Sequence, residues 1–202
     1  MLEKLKKVDI REIWKNEASD FTTWLAKEEN LALLSEEIGI SIKLIETEAS
    51  VGKFFADILA QEETTNHKII IENQLEETDH DHLGKIITYG SGFDAHILIW
   101  IFKDIREEHR KAIDWLNEKA DTSLYIFAIK MEVWQIGNSK PAPKFSIICS
   151  PNNWAKAIKQ SADKALLSDT NLLQLEFWTD FTSHLEKNSK KLKSRKPRPQ
   201  NW

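Results

Sequence analysis

The stretch KFFADILAQEETTNHKIIIENQ, residues 53–74, decides the fold. Two apolar runs, 53–60 and 68–74, flank the polar loop Gln61–His67, the pattern of an antiparallel hairpin. Each run carries one carboxylate, Asp57 and Glu72. Side chains alternate faces along a strand, so Glu72 and Gln74 share a face with Ile70. If the hairpin folds about Thr64-Thr65, opposed residue numbers sum to 129 and Asp57 lies across from Glu72. Directly opposed Cβ atoms stand roughly 4.5–5.5 Å apart, and like charges there are destabilising. Three arrangements answer that repulsion: a proton shared by the two carboxyls, a divalent cation between them, or both carboxylates in solvent beside lysines. Mg²⁺ is commonly held by one or two carboxylates, with water and phosphate completing its shell.

Outward from the hairpin, the first forty residues read as helical. Asn30 is the expected cap of a helix with Leu31, Leu34 and Ile38 as its stripe and Gly39 as its stop. Residues 21–25 read as a short packed turn or helix, and 40–48 alternate as a strand with Ile40, Ile42 and Leu44 on one face. From Asp79 to Tyr89 the period is helical, with Leu83, Ile86 and Ile87 as the buried stripe. The run 97–102 is a strand covered on both faces. Strand, helix and buried strand in that order predict a right-handed crossover to a parallel neighbour. An amphipathic helix over 107–119 follows, with Ala112, Ile113, Leu116 and Ala120 inward. Strands over 124–136 and 144–150 come next, then helices over 153–167 and 172–187, the last with Phe177, Trp178, Phe181 and Leu185 as its stripe.

Apolar content of 41% and charged content of 30% describe a globular chain. No apolar run approaches the roughly 20 residues of a membrane span, and the charged N-terminus lacks a secretory signal. A lone cysteine, Cys149, excludes an internal disulfide and suits a reducing cytoplasm, the expected location; its apolar flanks predict a buried, inert thiol. The net charge of −4 is unevenly spread. Lys187, Lys190, Lys191, Lys193, Arg195, Lys196 and Arg198 form a tail without acids, which leaves 21 basic against 32 acidic residues elsewhere. The expected division is a domain over 1–186 and a basic linker or tail over 187–202, leading to a missing C-terminal domain. Such a tail either grips phosphates or is a solvated linker.

Asp79-His80-Asp81-His82 reads as a helix cap rather than a dedicated metal site, because two histidines two apart diverge on a helix. One cysteine and no paired spacing leave zinc unsupported, and no Gly-x-x-x-x-Gly-Lys-Ser/Thr loop is present. Glu108-His109-Arg110 reads as a surface helix face or a phosphate contact. Most of the eight tryptophans fall on apolar stripes and are expected in the core.

The pattern Asp57, fourteen residues, then Glu72-Asn73-Gln74 resembles the PD-(D/E)XK, or restriction-endonuclease-like, nuclease superfamily. More narrowly, FTTWLAKEENL, VGKFFADILA, IENQLEETDHDHLGKIITYG and EEHRKAIDWLNEK resemble an uncharacterised microbial domain-of-unknown-function family related to these nucleases. The resemblance covers about residues 8–202. It implies an α/β fold whose restriction-endonuclease-like core is a helix, a three-strand meander, a crossover helix and a fourth strand, with added C-terminal strands and helices. It also implies phosphodiester hydrolysis on nucleic acid, DNA by expectation, in restriction, repair or phage defence. Asp57 and Glu72 would bind Mg²⁺ (or Mn²⁺), the Asn73 carbonyl would complete the site, and Gln74 would orient the water.

Gln74 departs from the usual lysine; its amide carries no charge but can still hydrogen-bond. Lys85 is then the candidate for a migrated lysine, on a helix face with His82 and Tyr89. The superfamily's additional glutamate would be Glu36 or Glu37 on the first helix, or Glu48, which the narrower family favours. A homodimer is expected by analogy. The alternative function is a catalytically inactive module of the same fold that binds nucleic acid or serves assembly.

Overall fold

The computed structural model describes residues 2–120, 124–152 and 154, together with 177, 181 and 184. The chain divides into two compact units, residues 1–155 and 156–202. The helices expected over 153–167 and 172–187, and the basic segment, lie outside the described residues apart from the single positions just given.

The first unit is a mixed α/β structure around a seven-stranded sheet. Its strands are β1 (Leu5–Val8), β2 (Ile42–Val51), β3 (Phe54–Glu62), β4 (Lys68–Glu77), β5 (Ile97–Asp104), β6 (Tyr125–Ile136) and β7 (Ala142–Cys149). Its helices are α1 (Ile10–Ile13), α2 (Thr23–Leu25), α3 (Glu28–Ile38), α4 (His80–Phe93) and α5 (Glu107–Lys119), with a π-helical turn at Glu17–Thr22. The sheet runs β1-β6-β5-β4-β3-β2, and β7 also pairs with β6.

Registered β3–β4 pairs, from Gln61↔Lys68 to Ile58↔Ile71, all sum to 129, as the hairpin reading requires. β5 lies parallel to β4 across the α4 connection. Alternate residues of the central strands feed two cores. Ile69, Ile71, Ile99 and Ile101 pack with Leu31, Leu34 and Ile38 of α3 and with Phe21 and Leu25. Ile70, Leu98, Trp100 and Phe102 pack with Ile86 and Tyr89 of α4 and Ile113 of α5. Helices therefore cover both sheet faces, which is why 97–102 is apolar without a break.

Four expectations need correction. The segment Leu5–Val8 is a strand, not helix: its LKKV sequence pairs antiparallel with β6 from Leu5↔Ile136 to Val8↔Val133. Local propensity is weak there, and the β6 edge supplies the hydrogen bonds. Asn30 is not the cap of α3, which starts after Lys27; its side-chain amide instead donates to the Trp24 carbonyl at 2.6 Å. Gly39 does end that helix, at φ 82° in the left-handed region. Ile87 is exposed, and Tyr89 and Gly90 take the inward positions of α4. His109 is no surface residue: it is buried, with Nδ1 2.8 Å from Thr78 Oγ1. Cys149 is buried as expected, and burial pushes its thiol up to about 12.

Helix α4 lies close on the sheet because it carries glycine where side chains would collide. A Cβ on Gly90 would stand 2.6 Å from Leu98 Cδ2, whereas one on Gly84 meets nothing within 4 Å. Gly90→Ala should therefore destabilise the protein by about 1–2 kcal/mol through overpacking. Gly84→Ala on the same helix should stabilise it by about 0.5–1 kcal/mol through helix propensity. Urea unfolding of the two variants checks the opposite signs.

Candidate metal centre at the end of the hairpin ladder

Regular β3–β4 pairing ends at Ile58↔Ile71, and the two carboxylates stand at the next position. There the side chains take over from the ladder. Asp57 Oδ2 accepts the Asn73 N–H at 2.7 Å. The Asp57 backbone N–H in turn helps to hold the Glu72 carboxylate. Asp57 is half-buried and Glu72 is 3% exposed. Neither forms an ion pair with lysine or arginine among the described residues, and Glu72 Oε2 is buried without a hydrogen-bond partner.

Burial is the main reason both acids resist ionisation. It raises Asp57 to about 6, helped by the charges of Glu17 and Glu48 and opposed by the Asn73 N–H. Burial and then the Asp57 charge raise Glu72 to about 9, with Lys85 opposing.

The surrounding side chains come from four elements. Glu48 lies on β2 between the registered pairs Thr47↔Ile58 and Ala49↔Ala56, so it stands opposite Asp57. Its φ of 52° is left-handed, and its side chain is exposed. Lys85 pairs with Asp81 at 2.9 Å on its own helix and reaches Glu72 only through its field. Tyr89 is buried and also lies within the field of Glu72. His82 Nδ1 is 2.9 Å from Asp79 Oδ1, and Asp79 caps α4 as the sequence suggested.

Gln74 does not present its amide nitrogen to a water. That nitrogen donates to Glu77 O at 3.0 Å and Asp79 Oδ2 at 2.8 Å, which leaves only the buried Oε1 without a partner. The Asn73 side chain points the other way, to Thr22 Oγ1 at 2.9 Å.

Glu36 and Glu37 are not at this site. Glu36 lines a groove between α3 and β2, and Glu37 Oε1 faces the Ile147 N–H at 3.4 Å. Besides Glu48, the glutamate that reaches the site from the N-terminal segment is Glu17, at the start of the π-helical turn. Its Oε2 accepts the Leu75 N–H at 2.5 Å, and its charge acts on both Asp57 and Glu72. Trp14, Phe21 and Trp24 pack with ring centroids 4.8–5.6 Å apart and fix that turn against the sheet. Asn16, whose side chain accepts from the Ser19 N–H, was the available signal: a capping residue directly before Glu17.

No family model and no curated protein matches the chain. Three solved structures share part of its course. EndoMS in complex with double-stranded DNA is 12% identical with a TM-score of 0.36, over 45% of this chain and 40% of that one. A repair endonuclease from Pyrococcus abyssi is 15% identical, TM-score 0.36, over 46% and 43%. SfsA from Pyrococcus furiosus, in complex with Ca²⁺, is 14% identical, TM-score 0.34, over 61% and 58%. The matched region thus spans about two fifths to three fifths of those proteins.

The raised carboxyls set a sign for pH. Between about pH 4 and the folded values of about 6 and 9, the native state holds protons that the unfolded chain has released. The contribution of this pair to stability is therefore fullest near pH 4 and falls as pH rises through those values. In metal-free buffer the unfolding free energy should drop between pH 5 and pH 9 by on the order of 2 kcal/mol. Glu72→Gln should flatten that drop, as chemical denaturation at three pH values would read.

Proposed function

We propose that this chain is a metal-dependent nucleic-acid phosphodiesterase, acting on DNA, with Asp57 and Glu72 as its metal-binding pair on a restriction-endonuclease-like core. The observation that carries the reading is the buried carboxylate pair without a lysine or arginine partner, one of its oxygens being wholly unpartnered. The order α3, β2-β3-β4, α4, β5 supports the core assignment, since it is the order of elements the sequence resemblance implies.

No three His, Cys, Asp or Glu side chains among the described residues converge as a ready-made cage. The proposed ion is therefore Mg²⁺ or Mn²⁺, which one or two carboxylates can hold with water and phosphate completing the shell. The donors that fit are the free oxygens of Asp57 and Glu72 together with the Asn73 carbonyl. In an extended strand the N–H and C=O of one residue point to the same side, so the carbonyl of Asn73 faces β3 as its N–H does. Glu48, exposed on the next strand, would reach such an ion only through a bridging water.

When bound, such an ion supplies charge stabilisation at phosphorus and a more acidic water. The chain's own residues do the positioning. The Asn73 N–H fixes one Asp57 oxygen and leaves the other for the substrate side. Lys85, held by Asp81, keeps a positive field beside Glu72. Burial of Glu72 strengthens every interaction made there.

Gln74 in place of lysine favours a second reading, a catalytically silent module that binds nucleic acid or serves assembly. One experiment separates the two. With Mg²⁺ or Mn²⁺ and a mixture of single- and double-stranded DNA, the wild type should cleave, and Asp57→Ala should be slower by about 10²–10³-fold. Mn²⁺ should also raise the melting temperature of the wild type and not that of Asp57→Ala. Metal-insensitive DNA binding without cleavage would establish the silent module instead.

A further inference from the structure

Where the resemblance places a lysine, this chain has built a chain of hydrogen bonds. The Gln74 amide nitrogen donates to Asp79 Oδ2 at 2.8 Å and to the Glu77 carbonyl at 3.0 Å. The other Asp79 oxygen, Oδ1, receives the His82 backbone N–H at 2.8 Å and faces His82 Nδ1 at 2.9 Å. Burial works against ionisation of Asp79, yet the His82 donors and the Gln74 amide outweigh it and hold the carboxyl below its ordinary range. An ionised carboxylate can only accept, so the hydrogen of this contact belongs to His82 Nδ1. In the neutral ring the lone pair is then on Nε2.

That nitrogen faces the acidic site. Glu17 Oε1 is 3.9 Å from it, beyond hydrogen-bond reach, and a charge on the ring is felt at Asp57. No hydrogen bond to Nε2 is formed among the described residues, and the side chain keeps 16% of its surface open to water.

We propose that His82 Nε2 is the proton acceptor for the attacking water, with Asp79 and Gln74 as positioning residues that fix its tautomer. The proposal rests on the nuclease reading above. In the step, a water O–H bond breaks and its proton moves to Nε2 as the oxygen bonds to phosphorus. The P–O bond to the departing nucleoside oxygen breaks, and that oxygen takes a proton from solvent. Asp79 steadies the imidazolium through Nδ1–H, and the ring later returns its proton to solvent. Gln74 thus contributes at one remove: it orients Asp79, which orients the base.

Two measurements on the full chain test this. Long-range ¹H–¹⁵N spectra, with His82→Ala used to assign the resonance, should show the neutral ring as the Nδ1–H form. The Nε2–H form would overturn the proposal whatever the activity. Single-turnover cleavage of DNA with Mn²⁺, measured well below the variant's melting temperature, should slow about 10²–10⁴-fold in His82→Ala, with DNA affinity unchanged. Added imidazole should restore part of the lost rate, which a purely structural role for the ring would not allow. A wild type that cleaves while His82→Ala cleaves as fast overturns this proposal alone. A wild type that cleaves nothing overturns the nuclease reading and this proposal with it.

Discussion

Two carboxyl groups, Asp57 and Glu72, share the end of a strand ladder in a place where water is largely excluded, and the organisation of this face follows from that constraint. Each resists ionisation chiefly because it is buried; the charge of Asp57 adds to this at Glu72, and the charges of Glu17 and Glu48 add to it at Asp57. Proteins seldom retain such a pair for stability, since an apolar pair would pack there at no electrostatic cost. Around it the backbone departs from regular pairing: the Asn73 N–H donates to Asp57, Glu48 is left-handed, and the Leu75 N–H donates to Glu17. Strain and unpartnered groups gathered in one place are the usual mark of a site kept for function.

Around that pair the scaffold is paired and closely packed where position matters. β4 carries Glu72 and Gln74 between two cores and is paired on both sides, by β3 and by β5. Helix α4 brings His82, Lys85 and Tyr89 over one face, and its close approach depends on Gly90 against Leu98. The π-helical turn is fixed by an aromatic cluster and by Thr22, which receives the Asn73 amide. Glu17 is therefore delivered by packing rather than by strand geometry.

Much of this was legible in the sequence, for identifiable reasons. The hairpin register followed from loop length and symmetry, and both carboxylates stood out as lone charges in apolar runs. The α4 cap was legible because Asp79 precedes a helical period. Glu17 was not, because it belongs to an irregular turn without a periodic signal; the resemblance pointed to Glu36 or Glu37 on α3 and, by preference, to Glu48 on β2. β1 was hidden by its lysines: only the unfilled edge of β6 makes that segment extended. The course of the Gln74 amide also depends on contacts made several residues away, which spacing cannot show.

The bulged outer strand β2 has a bearing on assembly. Between Leu44 and Glu46 its pairing shifts register, and at Glu48 its backbone turns left-handed. Among the described residues no strand adds to its far side, although the Ile42 N–H donates to Ser35 Oγ at 3.1 Å. A kinked, acid-bearing border of this kind is a poor template for another chain's strand. A strand added along this border would have to follow both its bulge and the left-handed turn at Glu48, the residue that stands opposite Asp57.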